Sequence, residues 1–159
     1  MQTKIFEKQS IWLPGDVNKQ VPCYPVTMNA TDDKCRAGAF AFEGADPETQ
    51  AVSTSASATS QNIVGVIKRA PYLTYNGAYN DIYPQGAELT VITRGSVTVR
   101  VSNDNVNYKD KVFVNNTTGE VQTGSGEAPS GFIDTGWKVS FVKDCANIVE
   151  ISNIRFTNN

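Results

Sequence analysis

The sequence predicts an all-β fold, a single β-sandwich or β-barrel domain with an extended N-terminal arm and long loops. Three observations predict it. Residues 87–101 read as two strands broken at Arg94-Gly95-Ser96. The second alternates strictly, with Val97, Val99 and Val101 on one face and Thr98 and Arg100 on the other, so one face packs and the other meets water. Strand-sized apolar runs recur along the chain with turn residues between them, as in sandwiches and barrels. No segment keeps helical spacing over a useful length. At 159 residues the chain is one domain's worth and buries a core without staples.

Taken in order, residues 1–20 form the arm and 21–159 the domain. Ile5, Phe6, Ile11, Trp12 and Leu13 are large and apolar, and Pro14-Gly15-Asp16 stops any element there. This segment is either an edge strand on the domain's own core or an arm that docks on a neighbour; aromatic anchors serve both. Residues 21–27 carry Pro22 and Pro25, which predicts an edge strand or an extended link. Residues 29–34 are turn chemistry. Residues 37–42 form a strand with Phe40 and Phe42 on one face. Residues 48–61, rich in Ser, Thr and Ala, read as a long mobile surface loop. Residues 62–69 are a strand closing on Lys68 and Arg69.

Residues 70–84 hold Tyr72, Tyr75, Tyr79 and Tyr83 among Asn and Gly, the composition of a recognition loop, because Tyr supplies large contact area at low entropy cost. The same tyrosines also suit a hairpin loop covering a barrel mouth. After the central strand pair comes a turn at 102–107; it lacks the glycine and bidentate acid of a calcium loop. Residues 109–123 read as a hairpin with its turn at 115–119, residues 124–131 as a flexible loop, and 133–142 and 147–156 as the last strands. In the final one Val149, Ile151 and Ile154 face the core, and Ile154 breaks the alternation, which places a bulge or strand end near Asn153.

The formal charge of −2 gives no basic field for nucleic acid or an anionic membrane, and no apolar run is long enough to span a bilayer. Charged residues stand where a signal peptide needs its apolar segment, so synthesis in the cytoplasm is expected. Histidine is absent, which removes the commonest general base and metal ligand and every Ser-His or Cys-His pair. The three cysteines, Cys23, Cys35 and Cys145, make no disulfide framework and no zinc site. Cys23 and Cys35 lie where a loop-closing disulfide would join them, and a reduced state is the simpler reading. Asp104, Asp110, Glu120 and Glu127 lie near turns and are expected to be solvated. Lys68, Arg69, Lys109 and Lys111 read as edge charges that discourage sheet-to-sheet aggregation. No cofactor, metal site or catalytic residue is expected.

The run Ala37-Gly38-Ala39-Phe40, Val64-Gly65-Val66-Ile67, the segments opening at Gly86 and Gly95, Tyr108 to Val114 with Thr118-Gly119, Gly136-Trp137-Lys138-Val139 and Val149 to Ser152 resembles the small head cement or decoration proteins of tailed bacteriophages. The likeness spans residues 37–152. It implies a non-enzymatic virion protein on the outside of an assembled capsid, bridging adjacent major capsid protein subunits. It also implies action as a homodimer or homotrimer. The contact residues expected are Ile5, Phe6, Trp12 and Leu13 of the arm and Tyr72, Tyr75, Tyr79 and Tyr83 of the loop. Many weak copies on a lattice bind tightly through avidity. Two other readings stay open: another virion, tail or fibre subunit, and a carbohydrate-binding module that stacks sugars on the tyrosines.

Overall fold

The structure, a computed structural model, describes residues 13–70, 81–142 and 147–156. Among these residues the chain is all-β, as its pattern predicts, with two layers. The first layer is a small closed barrel of β1 (Tyr24–Ala30), β2 (Phe40–Glu43), β3 (Gln50–Val52), β4 (Ile63–Ile67) and β5 (Glu88–Arg94), ordered β1-β3-β2-β4-β5. The second is an open sheet of β6 (Ser96–Arg100), β7 (Lys111–Asn115), β8 (Val121–Gly124), β9 (Phe132–Val142) and β10 (Ile148–Ser152), ordered β6-β10-β9-β7-β8. The break predicted at 94–96 is where the chain changes layers. Gly95 turns there at φ 148°, a backbone that disfavours any Cβ, and a Cβ would sit 3.0 Å from Cys23 Cβ.

The apolar residues form two cores, one inside the barrel and one between the layers. The barrel interior holds Ala30, Ala37, Ala41 and Ala51 beside Met28, Cys35, Ile67, Tyr83, Leu89 and Val91, the alanines making room for the larger side chains within the small internal width of a five-stranded barrel. Between the layers, Phe40, Phe42, Val66 and Ile92 of the barrel meet Val97, Val99, Trp137, Val139 and Ile151 of the sheet. Phe40 packs edge-on against Trp137 with ring centroids 6.3 Å apart. The period-2 pattern of β2 therefore serves two cores, Phe40 and Phe42 toward the sheet and Ala41 into the barrel. Burying each such aromatic contributes about 1.5–3 kcal/mol.

Several expectations are corrected. Residues 24–30 are not an edge: β1 pairs with β5 on one side and, in parallel, with β3 on the other. Pro25 is accommodated at a register shift, where the ladder is already interrupted. Residues 48–61 are not a featureless loop. They contain β3 and a 3-10 turn at Ser60–Asn62, and Ser53 is buried because the Asp32 carboxylate accepts its N–H at 3.2 Å and its hydroxyl at 3.1 Å. The polar face of β6 does not meet water at Ser96 and Thr98; both are fully buried, and neither hydroxyl has a partner. Asp110 is 6 % exposed, its carboxylate taking the Asn107 N–H at 2.8 Å, whereas Asp104, Glu120 and Glu127 are exposed as expected. Arg69 is not a free edge charge, since its guanidinium Nε donates to Pro14 O at 3.0 Å. The strand end expected near Asn153 is there, β10 closing at Ser152, but Ile154 lies beyond the strand in a bend. Cys23 is exposed and Cys35 buried, and both are free thiols.

Candidate functional site

The segment that leads out of residues 1–12 is fastened to the body by its backbone. Gly15 N–H donates to Thr98 O at 2.7 Å, Thr98 N–H to Asp16 O at 2.9 Å and Asn18 N–H to Ser96 O at 3.0 Å. Val17 is bridged to Val97. Residues 15–18 thus cover the edge of β6, which as an open edge would template pairing with another chain. The turn before them is set by Asp16, whose carboxylate accepts the Leu13 N–H at 2.9 Å, and by Gly15 at φ 88°.

The same turn holds the start of the tyrosine-rich segment. Arg69 N–H donates to Gly15 O at 2.9 Å, and Gly38 N–H to Ile67 O at 2.8 Å. A Cβ on Gly15 would lie 2.7 Å from Arg69 N, and one on Gly38 would lie 2.5 Å from Pro14 Cβ. Only glycine at both places lets the three backbones close. On the return side Ala37 N–H donates to Asp81 O at 2.9 Å, and Arg36 lies 3.8 Å from the Asp81 carboxylate. The roots of residues 1–12 and of residues 71–80 therefore share one corner of the body.

A hollow of about 600 Å³ opens at this corner, lined in part by Leu13, Pro14, Gly38 and three arginines, Arg36, Arg69 and Arg100. Arg69 is nearly buried, 4.0 Å from the Asp16 carboxylate, and Arg100 makes no ion pair among the described residues. The Cys35 thiol is pushed up to about 12 by burial, then by the charge and hydrogen bond of Asp32, so it is no nucleophile. Among the described residues no three His, Cys, Asp or Glu side chains converge as a metal site, and no helix is long and apolar enough to cross a membrane. What the arrangement does is fix, at one corner, the chain ends from which residues 1–12 and 71–80 continue.

Of the expected contact residues, Ile5, Phe6, Trp12, Tyr72, Tyr75 and Tyr79 lie outside the described residues. Leu13 sits half-buried at the corner. Tyr83 is 1 % exposed, its hydroxyl accepting from Ala70 N–H at 2.9 Å and donating to Lys68 O at 2.5 Å. Its ring belongs to the barrel core, so it offers no contact surface; it clamps the two ends of the tyrosine segment instead. Sequence reasoning missed Pro14, Gly15, Gly38 and Arg69 as the fastening. Pro14-Gly15 reads as a stop signal, and nothing in the sequence brings Gly38 beside it. It also missed exposed large apolar side chains elsewhere: Tyr24, with the Arg94 guanidinium 5.3 Å from its ring centre, Tyr108 in the turn before β7, and Phe141 and Val142 at the end of β9.

Comparison with known proteins agrees with the resemblance in the sequence. No curated protein matches the chain. Among solved structures, a chain of "The capsid of Myoviridae Phage XM1" is similar, with a TM-score of 0.74, 19 % sequence identity and 98 % of each chain covered. At that identity the likeness is one of fold. The family model for the structural cement protein (E217 gp24/Pam3 gp6) matches residues 1–155. The chain belongs to this family of phage structural cement proteins.

Proposed function

We propose that this protein binds the outer surface of an assembled phage capsid and stabilises it by bridging neighbouring major capsid protein subunits, without enzymatic activity. Family membership supports a structural role in the virion. The observation that carries the finer reading is the shared corner. The residues that flank two segments rich in aromatic anchors, 1–12 and 71–80, lie side by side at a root held by backbone hydrogen bonds and two close-packed glycines. Ile5, Phe6, Trp12 and Leu13 from the arm, and Tyr72, Tyr75 and Tyr79 from the loop, are the contact residues in this reading. The arm, residues 1–20, is then part contact and part anchor, with 15–18 as the anchor. The acting species is a homodimer or homotrimer, and nucleic acid and membrane are not partners.

Co-sedimentation of the purified protein with unexpanded and expanded empty shells tests this. Saturable binding to expanded shells at a fixed ratio to the capsid protein is expected. A chain lacking residues 1–12 keeps the anchor, so it is expected to melt as the full chain does and to lose shell binding. Full binding by the truncated chain removes the arm from the account. A self-polymerising fibre subunit is disfavoured by the blocked sheet edges: residues 15–18 cover β6, and Asn103 occupies the edge of β8.

A further inference from the structure

The outer face of the second sheet carries a charge arrangement that its own stability does not favour. Lys111 of β7 and Lys138 of β9 are register partners. Each alternates with core residues, Val112 for one and Trp137 and Val139 for the other, so both project from the outer face. Like charges directly opposite one another destabilise a strand pair. Asp134 offsets this only loosely, 3.8 Å from Lys111 Nζ with both side chains more than 40 % exposed. Lys138 makes no ion pair among the described residues.

A second local penalty falls beside the first. Lys109 donates its N–H to Val139 O at 2.9 Å, one rung from Lys138, and holds φ 71°. Glycine or asparagine takes that backbone conformation at lower cost, so the turn itself gives no reason for lysine. The Lys109 ammonium stands 5.7 Å from the ring centre of Tyr108, which is 60 % exposed and packs edge-on against Phe156. On the other flank Ser152 is the register partner of Lys138, and its Oγ accepts the Arg155 N–H at 3.3 Å. The Arg155 guanidinium is engaged by the buried Glu150 at 3.8 Å. Lys111 and Lys138 thus stand opposite one another, with Lys109 in the turn that joins the same two strands by its backbone, in a protein whose net charge is −2.

We propose that Lys109, Lys111 and Lys138, edged by Tyr108, form a docking platform for an acidic segment of the capsid protein. This rests on the cement reading and gives it the second contact surface that bridging requires. The platform and the anchored corner lie at different strands of one sheet, β7 and β9 against β6. Carboxylates from a partner relieve the lysine–lysine repulsion, so this penalty in the free protein becomes attraction in the complex. A protein partner fits better than nucleic acid: the patch spans two strands, about 5 Å apart, and the chain as a whole repels a polyanion.

The test compares the full-length protein with the double variant Lys111→Gln/Lys138→Gln in shell co-sedimentation at about 50 and about 300 mM salt. The variant is expected to bind expanded shells about three- to thirtyfold more weakly at low salt. It is also expected to lose most of the salt dependence while melting at the same or a higher temperature. Equal affinity and equal salt dependence, with the wild type binding normally, overturn the platform and leave the cement reading intact. Failure of the wild type to bind either shell form overturns both. Wild-type binding to a duplex or single-stranded oligonucleotide as tight as to shells, lost in the variant, overturns the protein partner in favour of nucleic acid.

Discussion

Single residues show which parts of this fold depend on one atom. Gly65 is the sharpest case: a Cβ there would lie 2.1 Å from Ile92 O, in the ladder that joins β4 to β5. No flexible side chain stands in the way to yield, so Gly65→Ala must push two barrel strands apart. We expect a loss of about 2–3 kcal/mol, seen as a fall of about 4–12 °C in Tm by differential scanning calorimetry. Asp32 is the second case. Burial raises its carboxyl, but hydrogen bonds from the Lys34 and Ser53 N–H groups, the Cys35 thiol and the Ser53 hydroxyl outweigh this and hold it below the usual carboxylate range. A depressed acid stabilises the fold above its unfolded pKa of about 4 and loses that contribution as pH falls through the folded value. Asp32→Ala is expected to cost about 1–3 kcal/mol at pH 7 in urea unfolding, and Asp32→Asn to flatten the acid limb of stability against pH. An unchanged acid limb in Asp32→Asn would assign the acid sensitivity to other carboxylates.

Among elements, the two edges of the open sheet are closed by different means. At β6 the closure is a stretch of backbone, residues 15–18. At β8 it is mainly one side chain: Asn103 accepts the Thr123 N–H at 2.9 Å and donates to Thr123 O at 3.1 Å, occupying both positions a neighbouring strand would use. Ser102 N–H donates to Val121 O at 2.9 Å beside it. Asn103→Ala frees the Thr123 backbone pair and exposes the edge. The expected result is a loss of about 1–2 kcal/mol together with concentration-dependent association by analytical ultracentrifugation. A variant that stays as dispersed as the parent would show that the loop backbone alone guards β8.

At the scale of the whole molecule, the two-layer body carries the two contact regions proposed above, the corner where residues 1–12 and 71–80 are rooted and the lysine platform on the second sheet. A shell-binding protein of this kind gains from stiffness, because each contact is held in place before the other forms, and avidity over many lattice copies multiplies modest affinities. If both regions act, removing residues 1–12 and neutralising the platform should each weaken shell binding, and the combination should weaken it more than either. The comparison is made by co-sedimentation at one salt concentration. A combined loss no greater than the larger single loss would place both changes on one surface.

The sequence by itself determined the fold class, the strand pair broken at Gly95, the opposed faces of Phe40/Phe42 and Ala41, the 109–123 hairpin and the family. These follow from local rules, period-2 alternation and turn residues, that act within a few residues of the chain. Only the tertiary structure decided that β1 closes a barrel despite Pro25, that β3 lies inside an apparently featureless Ser/Thr-rich stretch, and that Tyr83 is core. It also decided that Pro14, Gly15, Gly38 and Arg69 meet and that Lys111 faces Lys138. Each of these depends on which distant strands become neighbours and in what register, and a one-residue change of register exchanges the faces. Backbone hydrogen bonds carry no residue identity, so the fastening of residues 13–18 to β6 leaves almost no mark in the sequence beyond the glycines that permit it.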